Sequence, residues 1–309
     1  MKKKLYVNQR EVSTLGFGAW PLGNTAHGKT MTDEEGIELV KKAYESGVNF
    51  FDTAPNYAHG RSETILGKAL EGIRENVVIN TKFGHHPDGE MNFDETLMRD
   101  SIEGSLTRLK TDYLDSVILH NPGHDVLQGK TGHFDILQTL KEEGLIKGYG
   151  VSIDTPEDLN YTLNHVNVDV IELLYNVFAQ STREYLTQIE DRKIALIIKV
   201  PLDSGWLAGK YTKASTFSDI RSRWTDEDKQ RRDTLINQLK SMVGPEPLTR
   251  YTLGFLWSYD AITTVIPGIR TIEQLKDHLA SWQFSFPITL RPAFEHFYDE
   301  KIKNDPLPW

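Results

Sequence analysis

Short apolar segments rich in β-branched and aromatic residues alternate along the chain with amphipathic helical patterns. Several of these segments, such as VVINTK and IALIIKV, are continuously apolar. Continuous apolar runs are typical of strands covered on both faces, and alternation of strands with helices is typical of a parallel sheet. The pattern therefore predicts an α/β fold in which βα units close into a barrel. The eight predicted strands cover residues 14–20, 48–53, 77–82, 116–120, 148–152, 168–175, 194–200 and 263–267.

The helical segments between the predicted strands carry recognisable start and stop signals. Thr32 is followed three residues later by Glu35, which is the pattern of a capping box, and Gly47 stands where this helix should stop. Thr155 and Asp158 repeat the start signal ahead of a later helical pattern. These signals place a helix after each of two predicted strands, as βα units require.

Two features lie outside the regular alternation. The segments KLYV and REV flank Asn8 and Gln9, which predicts a hairpin that closes the bottom of the barrel. The connections at residues 121–131 and 202–246 are long, and extra length after a strand is typical of the walls of an active site. The second connection contains a charged helical pattern over residues 226–242.

Composition narrows the class of protein further. The chain has 309 residues without an evident linker, so we expect one domain over residues 1–309. There are 35 Lys and Arg against 44 Asp and Glu, and the net charge of −9 disfavours nucleic acid as a partner. The absence of cysteine excludes disulfides, thiolate metal sites and a cysteine nucleophile. No apolar run is long enough for a signal peptide or a membrane span, so we expect a cytoplasmic protein with no membrane partner. The oligomeric state stays open.

Polar side chains stand at the carboxyl ends of three predicted strands. Asp52 closes NFFD, Lys82 closes VVINTK and His120 closes SVILH, while Tyr57 follows in the loop TAPNYAHG. In a parallel barrel these strand ends meet on one face, where active sites lie. A buried Asp and Lys would form an ion pair, and a neighbouring ammonium would lower the pKa of a phenol toward the working range. The arrangement predicts a proton-transfer site.

Each of these residues also has a structural interpretation when it is taken alone. Asp52 could cap a turn, Tyr57 could lie in a surface loop, and Lys82 could extend from a strand end. A lone His120 would more often be a hydrogen-bonded core histidine than a catalyst. Their joint occurrence at matched strand ends favours the functional interpretation.

Other motifs favour neither a metal site nor a Rossmann-type site. No His-x-His closes an early strand and no HExxH occurs, so we expect no bound metal. GFGAWPLGN contains a Gly-x-Gly, but Pro21 stands where the helix of a dinucleotide fingerprint would begin. We expect Lys229, Arg231 and Arg232, in a helical pattern of mixed charge, to lie on a solvated face. The histidines considered as metal ligands are His85, His86, His124 and His133.

A series of longer segments resembles the aldo-keto reductase family, in a bacterial-type subgroup, over about residues 15–280. These segments are GVNFFDTAPNYAHGRSETILGKAL, NTK, LKTDYLDSVILHNP, GYGVS, YN, GWLAGKY and VIPGIRTIEQL, in this order. The resemblance implies a (β/α)8 TIM barrel that binds NADP(H), or NAD(H), and reduces an aldehyde or ketone by hydride transfer from nicotinamide C4. It implies that Tyr57 is the general acid, that Lys82 and Asp52 tune it, and that His120 orients the carbonyl group.

The resemblance also implies which residues bind the cofactor and the substrate. Arg270 is the candidate for a 2'-phosphate, because it precedes a helix whose free N–H groups favour anions. Ser152 and Glu172 would face the carboxamide, and Trp20 would line the substrate pocket with Tyr57 and His120. The remaining implied cofactor contacts are Leu202, Gly205, Lys210, Gly268 and Gln274.

Three positions depart from the commoner family pattern. Ile153 stands in place of an Asn, Glu172 in place of a Gln, and Lys199 in place of the aromatic residue that stacks on the nicotinamide ring. A cofactor-binding redox sensor with little turnover, resembling potassium-channel β subunits, therefore remains an alternative. A barrel lyase or aldolase that uses Lys82 as a Schiff base is a third. The physiological substrate and the preference for NADP over NAD stay open.

Overall fold

The computed structural model describes residues 2–26, 29–218 and 220–308. Within these residues, eight parallel strands form one sheet in the order β12-β11-β10-β9-β8-β7-β6-β3. The strands are β1 (Lys3–Leu5), β2 (Glu11–Ser13), β3 (Phe17–Gly18), β4 (Thr25–Ala26), β5 (Lys29–Thr30), β6 (Phe50–Asp52), β7 (Val78–Phe83), β8 (Ser116–His120), β9 (Tyr149–Ile153), β10 (Val170–Leu174), β11 (Ala195–Lys199) and β12 (Ile262–Val265).

Helices follow the sheet strands and cover the outside of the sheet. The α-helices are α1 (Asp33–Glu45), α2 (Arg61–Ala69), α3 (Met98–Leu109), α4 (His124–Leu127), α5 (His133–Glu142), α6 (Pro156–His165), α7 (Leu186–Asp191), α8 (Asp226–Met242), α9 (Leu248–Trp257), α10 (Ile272–Gln283) and α11 (Leu290–Lys301). Among the described residues, no helix is both long and apolar enough to span a membrane.

The sheet closes on itself between its two edge strands. Backbone bridges join Leu15 to Val265 and Gly18 to Gly268, so the chain around β3 pairs with the chain around β12. Gly18 is required at this seam, since a Cβ atom there would lie 2.7 Å from the carbonyl oxygen of Ile266. Closure confirms the predicted (β/α)8 barrel.

Seven of the eight predicted strands agree with the structure to within two residues at each end. The first differs more, because residues 14–20 were expected to form a strand and only Phe17–Gly18 does. The surrounding chain is still paired, since the amide of Gly16 donates to the carbonyl of Val265 at 2.8 Å and that of Gly18 to the carbonyl of Pro267 at 3.1 Å. Backbone pairing at the seam therefore extends beyond the two residues of β3.

The predicted helix signals are confirmed. The Glu35 amide donates to the Thr32 hydroxyl at 3.2 Å and the Thr32 amide donates to the Glu35 carboxylate at 3.0 Å, which is a complete capping box. Helix α6 begins with the same reciprocal bonds between Thr155 and Asp158. Gly47, two residues beyond α1, has a φ of +94°, a conformation that favours glycine and ends the helix.

The predicted N-terminal hairpin is confirmed as well. Strands β1 and β2 pair antiparallel, with Lys3 opposite Ser13. Tyr6, Val7 and Val12 from the hairpin are buried in one apolar cluster with side chains of the sheet strands. The hairpin therefore fills the bottom of the barrel. The strand and seam residues of this cluster are Phe50, Val78, Ile118, Val170, Ala195, Ile197 and Ile266.

The expectation of a solvated basic face on α8 is wrong for Arg232. This side chain is fully buried, and its Nε donates to Asp203 Oδ2 at 3.0 Å. Its Nη2 donates to the carbonyl of Pro308 at 2.6 Å, and its guanidinium lies 4.8 Å from the ring centroid of Trp224. Burial is tolerated because Asp203, in the loop after β11, supplies the opposite charge.

Candidate active site

A buried ion pair lies inside the carboxyl end of the barrel. The Lys82 ammonium is 2.6 and 2.7 Å from the two carboxylate oxygens of Asp52, and it donates to the carbonyl of Thr53 at 3.0 Å. A second carboxylate, that of Glu172, lies 3.4 Å from the same nitrogen. Lys82, Asp52 and Glu172 are each at most 2% exposed. Burial alone would lower the pKa of Lys82, but the two carboxylates raise it above its ordinary value, so the lysine stays charged.

Strand alternation explains why these side chains meet. Neighbouring side chains on a strand point to opposite faces, so Asn80 and Lys82 on β7 point to the same side. The register pairs Asp52 on β6 with Asn80, which places Lys82 one inward position higher than Asp52. Both strands end at this level, and the polar groups therefore lie at the mouth of the barrel.

Tyr57 lies in the loop between β6 and α2, above the ion pair. The Lys82 nitrogen is 5.4 Å from the centroid of the Tyr57 ring. The loop is fixed by its own backbone, because the Tyr57 amide donates to Ala54 at 3.1 Å and the Tyr57 carbonyl accepts from Ser62 at 3.2 Å. The sequence thus brings the phenol and the ammonium to one place.

The predicted direction of the Tyr57 pKa is wrong. Burial raises the pKa of Tyr57 well above its ordinary value, and the opposing effect of the Lys82 ammonium is smaller. The carboxylates of Asp52 and Glu172 act in the same direction as burial. The phenol is therefore protonated at neutral pH, which is the form that a proton donor requires.

His120, at the end of β8, faces Tyr57 edge-on with ring centroids 6.2 Å apart. Burial, together with the positive charge of Lys82, lowers the pKa of His120 well below its ordinary value. The imidazole is therefore neutral and can donate one hydrogen bond. His85, in the loop after β7, stacks on His120 with ring centroids 4.3 Å apart.

Ser152, Glu172 and Lys199 form a second polar cluster beside the ion pair. The Ser152 hydroxyl donates to Glu172 Oε1 at 2.9 Å and accepts from the Lys199 ammonium at 2.8 Å. Lys199 also lies 2.8 Å from Asp154 Oδ1 and donates to Asn121 Oδ1 at 3.0 Å. Glu172 therefore connects the two ammonium groups of the site, directly to Lys82 and through Ser152 to Lys199.

One elongated cleft of about 510 Å³ opens beside these groups. Its volume is typical of a small-molecule or cofactor site. Lys82 and Ser152 lie behind its wall, while the other predicted site residues line it. These lining residues are Trp20, Asp52, Tyr57, His120, Glu172, Leu202, Gly205, Lys210, Gly268, Arg270 and Gln274.

The far end of the cleft lies at the start of α10. The Arg270 guanidinium donates to the carbonyl of Asn24 at 2.9 Å and also to the carbonyl of Lys29. The Arg270 amide donates to the side chain of Gln274 at 2.7 Å. His278 is buried there with Nδ1 unpartnered among the described residues, and burial lowers its pKa to about 4. This end therefore offers a cation, a helix start and a neutral imidazole.

The histidines considered as metal ligands are not grouped. Both ring nitrogens of His133 are already bonded, at 2.7 Å to the carbonyl of Phe93 and at 2.9 Å to the hydroxyl of Thr131. His86 bonds the carbonyl of Asn92 at 3.0 Å. In the described part of the chain, no group of three or more His, Asp or Glu side chains is placed to hold a metal ion.

Comparison with known proteins identifies the family. The family model described as "Aldo/keto reductase family" matches residues 14–293. The chain belongs to the aldo/keto reductase family. Over 286 residues it is 28% identical to the uncharacterized oxidoreductase YqkF of Bacillus subtilis, with 90% of each chain covered.

Solved aldo/keto reductases share its fold over nearly the full length. The holo form of AKR11C1 from Bacillus halodurans superposes with a TM-score of 0.82 at 23% identity, covering 96% of each chain. An aldo-keto reductase from Klebsiella pneumoniae in complex with NADPH superposes with a TM-score of 0.73 at 21% identity, covering 100% of each chain. These likenesses concern the fold.

Sequence reasoning missed several residues of this aldo/keto reductase site. The sequence motifs present His85 only as a candidate metal ligand, although its place directly after a barrel strand is a signal for the cleft wall. Asn80 and Ser116 precede Lys82 and His120 by two and four positions, so strand alternation alone indicates that they also point inward. Glu172 was placed only at a carboxamide, and its contact with Lys82 was not foreseen.

The charge of the Glu172 carboxylate should help to keep the Tyr57 phenol protonated. Its charge raises the pKa of Tyr57, so in Glu172→Gln that pKa falls and the protonated phenol is lost at lower pH. For the role of Tyr57 as proton donor that is proposed below, we expect the alkaline limb of the kcat profile to move to lower pH. The measurement is kcat against pH, with the exposed Glu184→Gln as the matched control. An unchanged alkaline limb in Glu172→Gln would show that this charge does not reach Tyr57.

Proposed function

We propose that the protein reduces aldehydes or ketones to alcohols with NADPH, with Tyr57 as the proton donor. The observation that carries the proposal is the Tyr57 phenol, which lies beside the buried Lys82–Asp52 pair at the wall of one cleft. Membership of the aldo/keto reductase family supports an oxidoreductase. The Klebsiella pneumoniae relative in complex with NADPH supports the choice of cofactor.

The donor set along the cleft fits a nicotinamide dinucleotide. Arg270 and Lys210 are cationic groups in an acidic protein and suit phosphates, while Gln274 and the unpartnered nitrogen of His278 suit a purine base and its ribose. The backbone at Leu202, Gly205 and Gly268, together with Glu172 at the other end, completes the set that would hold it. Ser152 does not line the cleft and instead donates a hydrogen bond to Glu172. A bound dinucleotide supplies the hydride. The preference for NADP over NAD rests on Arg270.

The chain's own residues handle the proton. Hydride arrival at a carbonyl carbon leaves negative charge on the carbonyl oxygen, and a donor already in position stabilises that charge as it develops. Tyr57 donates its proton to this oxygen, and the Lys82 ammonium stabilises the phenolate that remains. Asp52 holds Lys82 in place and charged. Neutral His120 orients the carbonyl by a hydrogen bond.

Steady-state oxidation of NADPH with a panel of small aldehydes and ketones tests the proposal. We expect many turnovers per protein, a higher kcat/KM with NADPH than with NADH, and no loss of rate in the presence of EDTA. Tight NADPH binding in a fluorescence titration with at most one turnover would overturn the enzyme and support a redox sensor. Borohydride trapping of a substrate on Lys82 would instead support the Schiff-base alternative.

A further inference from the structure

Tyr6, beside the N-terminal hairpin, is a buried ionisable group that the proposed reaction does not use. Its hydroxyl lies 2.6 Å from the hydroxyl of Ser116. The Ser116 hydroxyl is in turn 2.5 Å from Asn80 Oδ1, and Asn80 Nδ2 is 2.7 Å from Asp52 Oδ2. All four residues are at most 5% exposed. A chain of hydrogen bonds thus runs from the N-terminal hairpin, at the bottom of the barrel, to the carboxylate that holds Lys82.

The direction of each hydrogen bond in this chain follows from the chemistry of the groups. Asn80 Nδ2 donates to Asp52 Oδ2, so the Asn80 oxygen faces Ser116 and can only accept from it. Ser116 must then donate to Asn80, and its oxygen accepts the proton of Tyr6. Every donor therefore points toward Asp52, and aligned bonds of this kind polarise one another.

Strand register explains why the hydrogen bonds from Ser116 to Asn80 and from Asn80 to Asp52 cross adjacent strands. Asp52 on β6 pairs with Asn80 on β7, and Asn80 pairs with Ser116 on β8, so the three side chains form one row across adjacent strands. Tyr6 reaches this row from below. Its amide donates to the carbonyl of Arg10 at 2.7 Å, and its ring meets Phe50 edge-on at 5.2 Å.

The row matters because two carboxylates compete for one ammonium. Glu172 lies 3.4 Å from Lys82 and interacts with the Asp52 carboxyl group as well. Burial raises the pKa of Asp52 and the Glu172 charge adds to this, whereas hydrogen bonds to an ionised carboxylate favour its charged form. The donor chain from Tyr6 therefore favours an ionised Asp52.

We propose that Tyr6 is a positioning residue that acts through Ser116 and Asn80 to keep Asp52 ionised and aligned on Lys82. The expected effect of Tyr6 on kcat rests on the proposed function. Its expected effect on Asp52 rests only on the chain of hydrogen bonds. Tyr6 itself does not titrate in the working range, because burial raises its pKa well above the ordinary value. Besides the row itself, the charged groups that face Tyr6 are Asp115 and Glu172.

The variant that tests the proposal is Tyr6→Phe, which keeps the ring against Phe50 and removes only the hydroxyl. We expect kcat for carbonyl reduction to fall about five- to tenfold with KM within about twofold, and the acidic limb of the kcat profile to move to higher pH, because a less stabilised Asp52 is protonated earlier. Ser116→Ala should change the profile in the same direction. In an Asp52→Asn background, Tyr6→Phe should have little further effect.

The control is Tyr251→Phe, which makes the same chemical change at another buried tyrosine, on α9. If Tm and kcat fall equally in both variants and the acidic limb does not shift, then Tyr6 only packs against its neighbours and the proposal is overturned.

A ¹³C titration of the Asp52 carboxyl group gives a readout without turnover. If the wild-type protein turns over no substrate but the Asp52 pKa still rises in Tyr6→Phe, the proposed function fails and the hydrogen-bond chain stands. If the Asp52 pKa is unchanged in Tyr6→Phe, the hydrogen bonds from Tyr6 do not influence Asp52 and the proposal is overturned.

Discussion

Replacing Tyr57 by Phe should lower kcat for carbonyl reduction by about 10²- to 10⁴-fold, which is the usual contribution of a positioned general acid. The substitution removes a single hydroxyl and keeps the ring that meets His120 edge-on. His120 does not replace it as an acid, because burial lowers the pKa of this ring and leaves it neutral at working pH. Affinity for NADPH should stay within about twofold, since the proposed role of the phenol concerns the substrate oxygen and not the cofactor.

The measurement is single-turnover and steady-state reduction, together with a fluorescence titration of NADPH. Tyr185→Phe is a matched control, because Tyr185 lies outside the lining of the cleft. A Tyr57→Phe protein whose kcat stays within about twofold of wild type would remove Tyr57 from the reaction. Loss of rate in both variants would indicate a general effect of the substitution on the fold.

Lys82→Met should reduce both activity and stability. It leaves the carboxylates of Asp52 and Glu172 buried without the ammonium that lies 2.6 and 3.4 Å from them. Removing one partner of a buried ion pair typically lowers the free energy of unfolding by about 3–5 kcal/mol. The rate of reduction should fall as well, because no cation then stabilises the phenolate.

The loss of stability in Lys82→Met should depend on pH. Without the ammonium, burial and mutual repulsion raise the pKa of Asp52 further above its value in the unfolded chain and also raise that of Glu172. Groups with raised pKa values in the folded state stabilise it at low pH and lose that contribution as pH rises. The deficit in unfolding free energy should therefore be larger at pH 8 than at pH 5.

Urea unfolding at the two pH values measures this difference. Lys68→Met is the control, since Lys68 is 42% exposed in its pair with Asp33 and solvent screens that pair. Adding Glu172→Gln to Lys82→Met should restore part of the stability at pH 8. Equal deficits at pH 5 and pH 8 would contradict the electrostatic explanation and point to lost packing instead.

Two regularities made the fold and part of the site predictable from the sequence. Continuously apolar runs identified the strands, and residues that close such runs converge at one end of a parallel barrel. Asp52, Lys82 and His120 are found together for this reason, and Tyr57 follows because its loop directly continues from β6. Each of these positions depends only on local sequence and on one topological rule.

The features that the sequence did not predict depend on distances across the fold. The contact of Glu172 with Lys82 joins two strands that are far apart in the chain, and Arg232 is buried only because Asp203 lies beside it. The net direction of the Tyr57 pKa depends on how deeply the ring is buried, which outweighs the nearby charge. A pattern of residue types does not show how deeply a side chain is buried, so the sequence predicts only the effect of the Lys82 charge on the Tyr57 pKa.

The groups proposed to act on the proton stand on different segments of the barrel, and no two of them share a strand. Asp52, Lys82 and His120 come from β6, β7 and β8, and Glu172 comes from β10. A partly folded intermediate that lacks this side-by-side alignment would have no acid–base centre, however much helix it had formed. During refolding from denaturant, regain of catalysis should therefore report the last long-range strand pairing, later than circular dichroism reports the helices.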